Sequence, residues 1–163
     1  MKRPAFISFA ILLIAVIANG QRSRTPRFTR YPASVETAQV TKIDFRRSPG
    51  ASSYRTRLTE ALRKGVNFAG RYILTGWGCG TGCTNGAVID ARTGVVYFPD
   101  ELAGVSGYDE TFEFRKNSRL LIINGSPGSR SETGNGMAAG TYFYEWKATR
   151  FRLVRSIVDK ANQ

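Results

Sequence analysis

The stretch AVIDARTGVVYF, Ala87–Phe98, decides the fold class. Ala87–Asp90 and Val95–Phe98 are short apolar runs flanking Ala91-Arg92-Thr93-Gly94. Glycine tolerates the positive φ that closes such a connection, so the stretch reads as a β-hairpin. The same pattern recurs downstream. Thr111–Arg115 and Leu120–Asn124 flank Lys116–Arg119, and Tyr142–Lys147 and Phe151–Val158 flank Ala148-Thr149-Arg150. Leu120-Leu121-Ile122-Ile123 is apolar at every position, which predicts a central strand covered on both faces.

Upstream, Asn67–Thr75 predicts another strand and Val35–Phe45 a first one. Between them lies one helical pattern, Ser52–Lys64. Tyr54, Leu58, Ala61 and Leu62 fall on one face, Ser52 or Ser53 can cap the start, and Gly65 stops the end. The expected fold is therefore mostly β (α+β): an antiparallel meander of about seven or eight strands, curled or two-layered, with one covering helix near the N-terminus.

The chain opens with Lys2 and Arg3, an apolar run from Ala5 to Ala18, and small residues at Ala18 and Gly20. This predicts a signal peptide over residues 1–20, cut before Gln21, and hence a secreted or periplasmic protein. An uncleaved anchor is the alternative, but fourteen helical residues reach about 21 Å against a hydrocarbon core of about 30 Å. No later segment is apolar enough to span a bilayer. Residues 21–34 hold several arginines and no acid, and read as a flexible basic arm. Residues 35–163 are expected to form a single β-rich domain.

Losing Lys2 and Arg3 with the leader lowers the formal charge from +12 to +10. That excess draws a protein toward anionic polymers and surfaces, although it also serves simple solubility. Export disfavours nucleic acid as the partner and leaves an anionic envelope component or a protein.

GWGCGTGCTNG, Gly76–Gly86, encloses the only two cysteines, Cys79 and Cys83. In an oxidising compartment an even cysteine count reads as a disulfide, and the surrounding glycines permit the tight path it needs. An exchange-active pair is the second reading, though no helix pattern follows to depress a thiol pKa. A metal site is the third, but structural zinc needs four nitrogen or sulfur ligands and the chain has no histidine. No metal and no cofactor is expected.

Without histidine there is no imidazole base and no Ser-His-Asp or Cys-His arrangement. The enzymatic option that remains is a carboxylate pair drawn from Asp90, Asp100, Glu101, Asp109, Glu110 and Glu145. The acids between Asp100 and Glu110 also suit calcium by type, but not in the spacing of a calcium loop. Asn124-Gly125-Ser126 matches a glycosylation sequon by chance composition.

Tyr142, Tyr144 and Trp146 alternate along one strand and so share a face. That face is either core or an exposed aromatic platform near Arg150 and Arg152. Trp77 carries the same ambiguity, and Gly78–Gly82 could form a backbone nest for an anion. The connection Gly125–Gly140 is long, glycine-rich and without an apolar run, which marks a candidate binding segment.

Asn67-Phe68-Ala69-Gly70-Arg71-Tyr72, Trp77-Gly78-Cys79-Gly80-Thr81-Gly82-Cys83 and the Val88–Tyr97 hairpin together resemble a group of small exported bacterial proteins. The resemblance implies export and a β-rich fold and no particular reaction. Members of that group often carry histidine where Arg71 stands.

The sequence thus points to a secreted or periplasmic binding module acting through its glycine-rich loops. A carboxylate-dependent hydrolase or a disulfide-exchange protein is the alternative. Candidate binding residues are Arg71, Trp77, Gly80, Arg130, Tyr144 and Trp146.

Overall fold

A computed structural model describes residues 24–37, 39–107, 111–128 and 136–160. The expected leader, Asp109, Glu110 and Arg130 lie outside the described residues. Among the described residues, eight strands form two four-stranded antiparallel sheets that do not close into a barrel. The first sheet holds β1 (Tyr72–Gly80), β2 (Cys83–Asp90), β3 (Val96–Tyr97) and β4 (Val105–Ser106). β2 pairs with β1 on one side, and with β3 and β4 at separate points on the other. The second sheet runs β5 (Phe112–Phe114), β6 (Leu120–Gly125), β7 (Gly140–Lys147) and β8 (Arg150–Val158) in chain order. All three downstream hairpins form as expected. Gly94 closes the first at φ 73°, whereas Ala148 closes the third at φ 59° without a glycine.

Strand alternation sorts the core into two layers. Leu74 and Val88 of the first sheet, with Leu121, Ile123, Tyr142, Tyr144 and Trp146 of the second, fill the space between the sheets. Ile73, Trp77, Ala87 and Ile89 point the other way, against Leu58, Ala61 and Leu62 of the single helix α1 (Arg55–Lys64). The sheets approach closely because Gly76 and Gly86 pair across β1 and β2. A β-carbon on either would come within 3.1–3.2 Å of the Phe112 ring of the second sheet. These glycines are therefore there for packing.

The Asn67–Tyr72 motif has a structural explanation. The Asn67 side chain accepts from the Leu74 N–H at 2.8 Å and donates to the Leu74 carbonyl at 2.9 Å, sealing that part of the β1 edge. Phe68 is fully buried between the sheets, against Phe114, Trp146 and Phe151. Ala69 and Gly70 take positive φ values of 44° and 82° and reverse the chain.

Four expectations need correction. Among the described residues of 35–45 there is no strand. The segment's apolar residues do not alternate, and it straps the first sheet through isolated bonds from Glu36, Val40 and Asp44 N–H to the carbonyls of Gly70, Ala91 and Gly94. The basic arm is held where it is described. A 3₁₀ turn at Phe28–Arg30 precedes bonds from Ala33 N–H to Asn117 O and from Arg119 N–H to Tyr31 O. Ser52 and Ser53 do not cap the helix; they lie in a 3₁₀ turn, Ala51–Tyr54, that leads into it after Gly50. Gly76–Gly86 is not a loop but the β1–β2 hairpin itself, turning at Thr81-Gly82.

Candidate functional site

A cleft of about 330 Å³ opens on the helix side of the first sheet. Tyr54 reaches it from the last residue of the 3₁₀ turn, Trp77 from β1, and Phe98 from the residue after β3. The Tyr54 ring lies 4.7 Å from Trp77 and 5.8 Å from Phe98, tilted by 41° and 43°. Pro49, Pro99 and Leu102 complete the apolar wall, and none of the described lining residues is charged. Trp77 is only 8% exposed, so its ring is a wall of the cleft and not a free surface.

The polar groups of this cleft come from β2. Asn85 stands opposite Trp77 in the register, and its Oδ1 accepts from Gly104 N–H at 2.7 Å. Its Nδ2 donates no hydrogen bond among the described residues. β2 meets β4 at Cys83–Thr84 and β3 at Val88–Ile89, so the interval around Gly86 has no neighbouring strand on that side. Leu74, two pairs along the ladder, turns its own N–H and C=O away from β2 to Asn67. The alternation of an antiparallel ladder therefore points the Gly86 N–H and C=O away from β1, into the gap beside the cleft.

Cys79 and Cys83 form a disulfide with α-carbons 5.2 Å apart, joining the end of β1 to the start of β2. It pins the hairpin that carries Trp77, a local effect of about 2 kcal/mol for so short a ring. Gly80, at φ 135°, sits in the irregular register after Gly78 and is exposed.

The other sequence candidates do not gather here. Arg71 precedes the opposite end of β1. It lies 3.3 Å from the buried Asp90 carboxylate and donates to the Tyr72 hydroxyl at 3.0 Å. Tyr72 in turn donates to the Ala148 carbonyl at 3.0 Å, so this chain of contacts ties the two sheets together. Tyr144 and Trp146 are 2% and 1% exposed, and the aromatic stripe faces the core instead of forming a platform. Tyr54, Asn85 and Phe98 were missed as site residues. The only local signal was a proline in each of two turn segments, at Ser48-Pro49-Gly50 and Phe98-Pro99-Asp100.

The carboxylates are engaged as well. Glu145 is buried on the outer face of the second sheet, within 3.3 Å of Arg119, 2.9 Å of Lys147 and 3.0 Å of Arg152. Burial by itself raises a carboxyl pKa, but hydrogen bonds from Lys147, Arg152 and Arg119 hold Glu145 below its ordinary 4.5. Its contribution to stability is therefore complete above pH 4.5 and is lost as the pH falls through the lower folded value. Glu145→Gln is expected to cost about 1–2 kcal/mol at neutral pH, since the three cations are partly solvated. It should also flatten the acid limb of a melting-temperature profile. Glu101 is raised by burial and by Asp100 beside it, and its charge in turn adds to the burial that raises Tyr144. Among the described residues no group of three or more His, Cys, Asp or Glu side chains could hold a metal ion.

Comparison with protein-family models, with curated proteins and with solved structures finds no match to this chain.

Proposed function

We propose that this chain is an exported binding module that takes an apolar side chain of an extended protein segment into the Tyr54–Trp77–Phe98 cleft. The observation that carries this reading is the cleft's composition: three aromatic rings and two prolines, with no charged residue in the described lining. Rings inclined by 41° and 43° make a wedge, not the flat platform on which a sugar ring stacks. An anion finds no counter-charge there. The outward N–H and C=O of Gly86 and the Asn85 Nδ2, which donates to none of the described residues, suit the backbone of an extended chain, as in strand addition. Export rests on the expected leader, and the disulfide suits an oxidising compartment.

The test is selection from a displayed library of about ten-residue peptides, with Tyr54→Ala/Phe98→Ala protein as counter-target. Both side chains are half-buried, and circular dichroism verifies that the double variant folds. Peptides enriched on the unmodified protein are expected to share an apolar or proline anchor and to bind the double variant about tenfold more weakly or worse. Equal enrichment on both proteins would remove the cleft as the binding site.

A further inference from the structure

The chain's positive charge is not at the cleft. A group of exposed arginines lies on the outer face of the second sheet, where we infer a phosphoryl-binding site formed by Arg24, Arg27 and Arg30. Two adjoining concavities, of about 250 and 400 Å³, share Arg24, Thr25 and Arg30. The first adds Arg155 from β8, and the second adds Arg27 and Thr29. Among the described residues no acidic side chain lines either one. Two acids on this face are engaged elsewhere: Glu145 is shared among Arg119, Lys147 and Arg152, and Glu113 accepts from the Asn124 amide at 2.7 Å.

Folding holds these arginines together despite their mutual repulsion. The Arg30 N–H bonds the Arg27 carbonyl at 2.9 Å across the 3₁₀ turn, setting the two residues one turn apart. Ser118, only 1% exposed, places its Oγ 3.0 Å from the carbonyl oxygens of both Phe28 and Tyr31. The Arg115 guanidinium sits 4.5 Å above the Phe28 ring. From β8 a second device contributes. The β7–β8 register slips between Phe143 and Tyr144, so Val154 is an extra residue beside Arg155, and both line the concavity. Such bulges re-aim side chains.

Guanidinium groups match phosphate oxygens in a bidentate fork, and a phosphoryl group offers more acceptors than a carboxylate. Converging guanidinium groups with hydroxyls between them therefore favour a phosphate-bearing ligand, either a lipid headgroup or a soluble polyphosphate. This site does not depend on the cleft, and Tyr54→Ala/Phe98→Ala should leave it intact.

The experiment titrates the full chain with inorganic polyphosphate, with phosphatidylglycerol vesicles in phosphatidylcholine, and with polyglutamate, at about 0.1 M salt. Arg27→Gln/Arg30→Gln is compared with Arg57→Gln/Arg63→Gln, an equal charge change on the exposed side of α1. The expected result is binding to polyphosphate or to the vesicles, weakened about tenfold or more by the first pair and less than about threefold by the second. Vesicle binding alone assigns the phosphoryl group to a lipid, and polyphosphate binding alone assigns it to a soluble polymer. Ser118→Ala should weaken binding in the same direction while every arginine remains. Absence of binding to both phosphate probes, equal loss in the two double variants, or equally tight binding of polyglutamate would each overturn the inference.

Discussion

Trp146→Ala is expected to remove about 3–5 kcal/mol of stability, enough to leave a domain of ordinary stability close to unfolding. Trp146 is 1% exposed at the centre of the intersheet core. Its ring lies 4.8 Å from Phe151, 5.3 Å from Tyr72, 5.9 Å from Tyr97 and 6.3 Å from Phe68, so it touches side chains from both sheets. Truncation would open a void that strand backbones cannot collapse to fill. Trp146→Phe is expected to cost much less. It keeps an aromatic ring in place and removes an indole N–H that is buried without an acceptor among the described residues. Denaturant midpoints of the two variants measure the difference. If the alanine variant were as stable as the phenylalanine variant, the intersheet core would not be centred on this residue.

Gly70→Ala is expected to cost about 2–4 kcal/mol, although it removes no heavy atom. Gly70 has φ 82°, and a β-carbon there would overlap the Ser34 carbonyl oxygen. Its N–H donates to Lys116 O at 2.7 Å and its carbonyl accepts from Glu36 N–H at 2.9 Å. One residue thus joins the start of β1, the β5–β6 connection and the N-terminal strap. Adding a methyl group would press on Ser34 and Ala33 and displace the residue that joins all three. Gly82→Ala is the natural comparison. It also has positive φ, at 61°, but nothing lies within 4 Å of its β-carbon position, so only backbone strain remains. Thermal melts should separate the two variants clearly, with the Gly70 variant also losing amide protection at Glu36.

The two outcomes bear on how much of the molecule its sequence displays. The hairpins were legible because their signals are local: apolar runs on either side of a few turn residues. The helix was legible from Leu58, Ala61 and Leu62. The strap over residues 35–45 was not, because its partners are the distant carbonyls of Gly70, Ala91 and Gly94. Alternation showed that Tyr142, Tyr144 and Trp146 share a face, but parity alone does not say which face meets the other sheet. The cleft was the least visible feature. Tyr54, Trp77 and Phe98 come from three separate elements, and each reads by itself as an ordinary core residue. Trp77 was singled out for its place beside the cysteines, yet its function as a wall depends on residues more than twenty positions away on both sides.

The seat of the N-terminal arm has a consequence for the time course of folding. The carbonyls of Phe28 and Tyr31 meet a hydroxyl 90 and 87 residues later in the chain. Contacts so widely separated close a long loop and form slowly. A segment synthesised early is therefore among the last to settle, waiting until the second sheet has a surface to receive it. A nascent chain stopped short of Ser118 would carry its arginines on an untethered leash, and the basic face would come into being only with the finished protein.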